Sequence, residues 1–222
     1  MADSLGEGDA SVRLVRDERG LALEGDGMEL RGDFSRMLPR LRQGRLQQEL
    51  LVKAARIKGA EAPTAVDCTA GLGEDSLLLA AAGFAVTLFE RDQTIAALLA
   101  DALERAAADP RLAEAVGRMT LVAGNSITGL ATLPEPPDVV YLDPMFPART
   151  KSAAVKKKFQ LLHHLEQPCE EEEALVAAAL AAQPRKVVIK RPAKGALLAG
   201  MKPSYSVAGK AVRYDVLVPP RP

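Results

Sequence analysis

Residues 64–90 read TAVDCTAGLGEDSLLLAAAGFAVTLFE. The run TAVDC is apolar and β-branched, and it breaks into a turn carrying Gly71 and Gly73. LLLAAA then has high helix propensity, and beyond Gly83 a second β-rich run, AVTLFE, ends on Glu90. Short apolar runs bounded by turn residues fit strands buried on both faces, and a helix between two of them makes the crossover that parallel pairing requires. The alternation continues with a helix from about Thr94 to Ala107, a strand MTLVA at 119–123 and a strand DVVYL at 138–142. Strands separated by helices predict an α/β fold with a mostly parallel sheet.

On the N-terminal side, residues 1–10 are polar and acidic and are read as disordered. SVRLVRD, LALEG and MELRG then alternate apolar and polar residues between glycine-containing turns, which predicts a small antiparallel sheet. Leu38, Leu41, Leu46, Leu50, Leu51 and Ala54 have helical spacing within 34–58, although Pro39 and Gly44 oppose a helix in the first part of that range. Residues 1–58 are therefore expected to form an accessory β/α segment, and 59–222 the main domain. On the C-terminal side come a basic loop or helix at 150–166, an acidic helix start at Glu170 and a strand RKVVIK. YSVAG and VRYDVLV can pair as an antiparallel hairpin across Gly209-Lys210. The acids from Glu170 to Glu173 complement the positive end of their helix and carry no functional weight.

The chain of 222 residues balances 29 Lys and Arg against 29 Asp and Glu, so no global field draws it to nucleic acid or an anionic membrane. Any attraction for a polyanion must be local. Cys68 and Cys169 lie far apart in no metal or redox spacing, which suggests reduced thiols. His163 and His164 are adjacent, so on a helix they point in different directions and make no metal pair. The N-terminus lacks the pattern of a signal peptide, and no apolar run approaches a membrane span. The expectation is a cytoplasmic protein without metal or membrane.

Gly71 and Gly73, between a strand and a helix, allow a tight turn and close approach of a ligand to the backbone. Glu90, at the carboxyl end of the next strand, can accept two hydrogen bonds from a ribose diol. A dinucleotide fingerprint would place a third glycine where Ser76 stands, and a pyrophosphate would meet Glu74 and Asp75 at the helix start. Two carboxylates there repel a pyrophosphate and suit a ligand with a sulfonium and an ammonium, which favours S-adenosylmethionine over NAD. Glu74 and Asp75 can also simply offset the helix dipole. Asn125 and Ser126, after the third strand, fall where an adenine ring is expected, and on residue type alone they read equally as a helix N-cap.

The strand DVVYL runs into Asp143-Pro-Met-Phe146. An exocyclic amine on a base is a poor nucleophile because its lone pair is delocalised. The Asp143 carboxylate and the Pro144 carbonyl are two acceptors that could orient that lone pair and stabilise the positive charge developing on nitrogen. Phe146 would offer a ring face to the base. Open parallel sheets bind ligands beyond the carboxyl ends of their strands, so these residues should share a crevice with Gly71 and Glu90.

Asp143-Pro-Met-Phe resembles the D/N-P-P-Y/F motif of class I amino-methyltransferases, with Met145 in place of the second proline. The longer string YLDPMFPARTKSAAVKKK, together with TAGLGED and VIKRP, is similar to the ribosomal RNA small subunit methyltransferase J family, the 16S ribosomal RNA guanine-N2 methyltransferases. The likeness spans roughly residues 64–218, with Glu74 where the family commonly has a basic residue and a short, divergent region before residue 60. It implies a seven-stranded Rossmann-like sheet, S-adenosylmethionine as cofactor, and 16S ribosomal RNA or the small subunit as partner. The implied cofactor contacts are Glu74, Asp75, Glu90, Arg91, Asn125, Ser126 and Asp143.

Arg149, Lys151, Lys156 and Lys157 follow the Asp143 turn, and Lys190 and Arg191 follow a later strand whose end should lie on the same face. A neutral protein with such a local patch can hold phosphates at one mouth, so these six are the expected RNA contacts. The guanine would have to be exposed or flipped to reach the site. Two rivals stand beside this reading. One is the same chemistry on adenine N6 or a glutamine side chain; the other is a non-catalytic RNA- or nucleotide-binding module.

Overall fold

The structure, a computed structural model, describes residues 12–25, 27–144 and 171–220. Strands β1 (Arg13–Asp17), β2 (Gly20–Gly25) and β3 (Met28–Leu30) form an antiparallel meander. The chain then breaks into a 3-10 turn at Phe34–Met37, α1 (Leu38–Leu41), a second 3-10 turn at Leu46–Gln48 and α2 (Leu50–Ala55). The single helix suggested by the leucine spacing does not form. Pro39 is tolerated only in the first turn of α1, Gly44 takes a left-handed φ of +86°, and Arg42 and Glu49 turn to extended ψ values of 140° and 130°.

The main sheet comprises β4 (Thr64–Asp67), β5 (Ala85–Glu90), β6 (Met119–Ala123), β7 (Val139–Leu142), β8 (Lys186–Pro192), β9 (Tyr205–Ala208) and β10 (Val212–Leu217). Its order is β6-β5-β4-β7-β8-β10-β9, which is 3-2-1-4-5-7-6 when counted from its first strand. The first five strands in that order run parallel, and β10 lies antiparallel between β8 and β9. This is the mostly parallel α/β sheet read from the strand and helix alternation, and the seven-stranded Rossmann-like sheet that the family likeness implies, closed by the expected C-terminal hairpin. Helices α3 (Glu74–Ala81), α4 (Gln93–Ala107) and α5 (Ala113–Val116) join α2 on one face; α6 (Ser126–Leu130) and α7 (Glu172–Ala181) cover the other. No helix among the described residues is long and apolar enough to cross a membrane.

The N-terminal segment is seated on this body by both apolar and ionic contacts. Leu23 and Leu30 pack on Ile95 and Leu98 of α4. Asp101 of α4, 4% exposed, accepts from Arg16 at 2.8 Å and from Arg105 at 2.7 Å. Phe34 and Met37 enter the core beneath α3.

Candidate active site

The chain runs from β4 outward to β5 and β6, then returns to the other side of β4 to lay down β7 and β8. A crevice opens at such a reversal, beyond the carboxyl ends of the strands. Its polar lining includes Glu90 and Arg91 after β5, Asn125 and Ser126 after β6, and Asp143 and Pro144 after β7. Phe89 and Leu175 give it an apolar wall, and Cys68 and Thr69 line it at the tip of β4. Four adjacent strand ends thus converge on one cleft.

Glu90 is 7% exposed, and both of its oxygens are held by the backbone. Oε2 accepts from the Gly71 N–H and Oε1 from the Asp92 N–H, each at 2.9 Å. Burial raises its pKa, with the Asp92 and Gly71 donors opposing. Each carboxylate oxygen keeps a second lone pair, so the group can still accept from a diol. Gly71 and Gly73 have φ of +54° and +75°, the left-handed region in which glycine avoids the Cβ penalty. They do not line the cleft. Their loop instead fixes Glu90, and a Cβ on Gly73 would lie 2.8 Å from Leu99 and 3.2 Å from Phe34. Asn125 caps α6, its Oδ1 accepting from Ile127 N at 2.8 Å, so the N-cap role is realised at a residue that also lines the cleft.

Asp143 owes its position to register. Leu142 of β7 pairs with Ile189 of β8, so the next residues, Asp143 and Lys190, are neighbours. The Asp143 N–H donates to Thr69 Oγ1 at 2.7 Å, and Lys190 Nζ lies 2.8 Å from Asp143 Oδ2. Burial pushes the Asp143 pKa up and the Lys190 charge opposes it. Lys190 Nζ also reaches Asp75 Oδ2 at 2.7 Å, and Tyr141 OH donates to the same oxygen at 2.6 Å. Burial works against the Lys190 ammonium, yet the Asp75 and Asp143 carboxylates outweigh it and hold its pKa well above the usual lysine value.

Several residues read from sequence therefore sit differently from expectation. Asp75 turns toward Tyr141 and Lys190 and does not line the cleft, and neither does Glu74 in the same first turn of α3. Lys190, expected on a phosphate-facing patch, is 26% exposed and clamped between two carboxylates. Arg191 is 4% exposed, and its Nε donates to the Ala196 carbonyl at 2.7 Å, so its guanidinium is turned into the protein. Phe146, Arg149, Lys151, Lys156 and Lys157 lie outside the described residues.

Sequence reasoning passed over Asp67, Thr69 and Tyr141. Asp67 is 1% exposed at the end of β4, accepting from Ser76 Oγ at 2.5 Å and from Thr69 N at 3.0 Å. Burial lifts its pKa to about 7. The available signal was a carboxylate set between Val66 and Cys68 in a strand buried on both faces.

The donor set fits S-adenosylmethionine. Glu90 suits the ribose diol, and the described ionisable side chains of the cleft wall are the acids Glu90, Asp143 and Glu171 against one base, Arg91. That balance favours a cationic ligand. A family described as "Putative SAM-dependent methyltransferase" matches residues 6–219. The ribosomal RNA small subunit methyltransferase J of Thioalkalivibrio sulfidiphilus is 46% identical over 213 residues, covering 92% of this chain and 84% of the relative. The protein of the same name from Nitrosococcus oceani is 44% identical over 179 residues, covering 80% and 70%. Among solved structures, a SAM-dependent methyltransferase of Neisseria gonorrhoeae superposes with a TM-score of 0.78 at 32% identity, covering 96% of this chain and 85% of that one. By its sheet order, its cleft and these likenesses, the chain belongs to the ribosomal RNA small subunit methyltransferase J family of S-adenosylmethionine-dependent methyltransferases.

Proposed function

We propose that the chain methylates the exocyclic N2 amine of a guanine in 16S ribosomal RNA, as free RNA or within the small subunit, in the cytoplasm. The observation that carries this reading is the Asp143-Pro144 tip of β7 on the same cleft as Glu90 and Asn125. When bound, S-adenosylmethionine supplies the methyl group: the sulfur–carbon bond breaks as a nitrogen–carbon bond forms, the sulfonium becomes a neutral thioether, and the amine gives up one proton to water. Glu90 would hold the ribose, and Asn125 and Ser126 would receive the adenine. Asp143 and the Pro144 carbonyl accept the amine hydrogens, turn the nitrogen lone pair toward the methyl carbon and stabilise the charge that grows on nitrogen. Phe146 stacks on the base, and Arg149, Lys151, Lys156 and Lys157 meet RNA phosphates.

The test is incubation with labelled S-adenosylmethionine and either 16S ribosomal RNA or small subunits, followed by mass analysis of nucleosides. N2-methylguanosine supports the reading; N6-methyladenosine, a methylated protein amide or no transfer overturns it. Asp143→Ala should lower kcat by about 10²–10³-fold, the range for losing one aimed electrostatic group, while RNA affinity stays close to that of the parent.

A further inference from the structure

We propose that Lys190 is a positioning residue for methyl transfer: its ammonium, held between the carboxylates of Asp75 and Asp143, fixes Asp143 at the edge of the cleft as a charged acceptor. This rests on the reading of Asp143 as the group that receives the substrate amine. The geometry is specific. The parallel register of β7 on β8 sets the two residues side by side, and Nζ lies 2.7 Å from Asp75 Oδ2 and 2.8 Å from Asp143 Oδ2. Tyr141 OH, donating to Asp75 Oδ2 at 2.6 Å, closes the arrangement behind the lysine. Lys190 engages Asp143 through Oδ2, which leaves Oδ1 as the oxygen to meet an amine hydrogen. A cation held by two anions in this way is already neutralised, which argues against a primary role in gripping phosphate.

The groups that bear on Asp143 come from every neighbouring element. Asp75 on α3 and Asp67 on β4 are acidic, Lys190 and Arg191 on β8 are basic, and Tyr141 on β7 and Tyr214 on β10 complete the surroundings. Burial and the Asp75 carboxylate push Asp143 toward its neutral form, and the lysine is the nearest group opposing them. A protonated Asp143 has one fewer oxygen with which to accept from the amine and loses the charge that favours transfer. Without Lys190, that protonation moves to higher pH.

The experiment compares the parent with Lys190→Met, Lys190→Arg and the double variant Asp75→Asn/Lys190→Met, which removes the carboxylate left unpaired by the single change. We expect Lys190→Met to lower kcat at neutral pH by about 10–100-fold, the range for losing a partner that orients a working ligand. The acid limb of its kcat profile should move to higher pH, in the double variant as well, and Lys190→Arg should restore most of both. A carbon-13 NMR titration of the Asp143 carboxyl, assigned by its loss in Asp143→Asn, should show the same upward move without any substrate. Parent-like profiles and titration in both methionine variants would overturn the proposal. So would weakened RNA binding at unchanged saturated kcat, which would make Lys190 a phosphate contact. Asp143→Ala run in parallel separates the two readings: full activity there removes the acceptor role itself, whereas lost activity there with parent-like Lys190→Met removes only the role of the lysine.

Discussion

Replacing Asp67 with asparagine should make the protein more stable, by an amount that depends on pH. Asp67 is 1% exposed, and burial lifts its pKa from 3.8 to about 7, against hydrogen bonds from Ser76 and Thr69. Between those values the folded chain holds the proton and the unfolded chain has released it, so the folded state binds more protons and stability falls as pH rises. The contribution is fully present below about pH 4, declines through the interval and is lost above about pH 7. About three units at roughly 1.4 kcal/mol each give a loss on the order of 4 kcal/mol. Asparagine has nearly the same shape, can still accept from Thr69, and never ionises. Urea unfolding of both proteins at fixed ionic strength isolates the effect, because subtraction removes the other titrating groups that the two share. The gap should be small near about pH 4.5 and reach several kcal/mol in favour of the variant by about pH 8. A gap that stays level across this range would refute the account, since it would mean that the buried carboxylate keeps its charge throughout.

Two further outcomes concern the N-terminal segment. Phe34→Ala should cost about 3–5 kcal/mol in thermal or urea unfolding and also weaken S-adenosylmethionine binding by calorimetry, because the ring lies against the Gly73 turn; parent-like affinity would limit Phe34 to a packing role. Asp101→Ala leaves Arg16 and Arg105 without their shared carboxylate and should cost about 2–3 kcal/mol, less than a fully buried pair because Arg16 is 63% exposed. Hydrogen exchange should then accelerate across β1 to β3, and unchanged protection there would contradict the clamp.

The parallel sheet was legible because strands buried on both faces must be continuous apolar runs, and TAVDC, AVTLFE and VVYL are such runs. Residues 34–58 were not, since leucines at helical spacing also suit separate short turns that each bury a few side chains, as Leu46 does in one and Leu51 and Val52 do in another. The short helix α5 escaped notice for the same reason, since one turn carries too few residues to establish a period, and α6 was signalled only by its Asn125 cap. At the site, the strand-tip residues Glu90 and Asp143 followed from topology alone, because every parallel strand delivers its carboxyl end to the same edge. The partners of Lys190 did not follow. Its bond to Asp75 spans 115 residues and depends on a register and a side-chain direction that no local pattern encodes, so the sequence offered only a basic residue beside other basic residues.

Delivering so many strand ends to one edge creates a problem of its own, since Asp67, Asp75, Asp143 and Glu90 all gather around a single turn of chain. Like charges at such range would drive one another toward protonation. Three devices relieve the four carboxylates. Asp67 is deepest and loses much of its charge near neutral pH, with Ser76 beside it. Glu90 is held by two backbone N–H groups of adjoining turns, a solution that uses no side-chain cation. Asp75 and Asp143 share the Lys190 ammonium. The two acids left facing the cleft, Glu90 and Asp143, are thus the ones whose partners come from behind or from the backbone, which leaves the open side of the cleft negative. Among the described residues no lysine lines the cleft and its acids outnumber Arg91, so a pyrophosphate would be repelled there, whereas a ligand with a sulfonium and an ammonium would meet the charge it needs. Preference for a cationic cofactor on a sheet of the dinucleotide-binding type therefore follows from how its carboxylates are relieved, and Lys190 sets how much of that negative charge survives at Asp143.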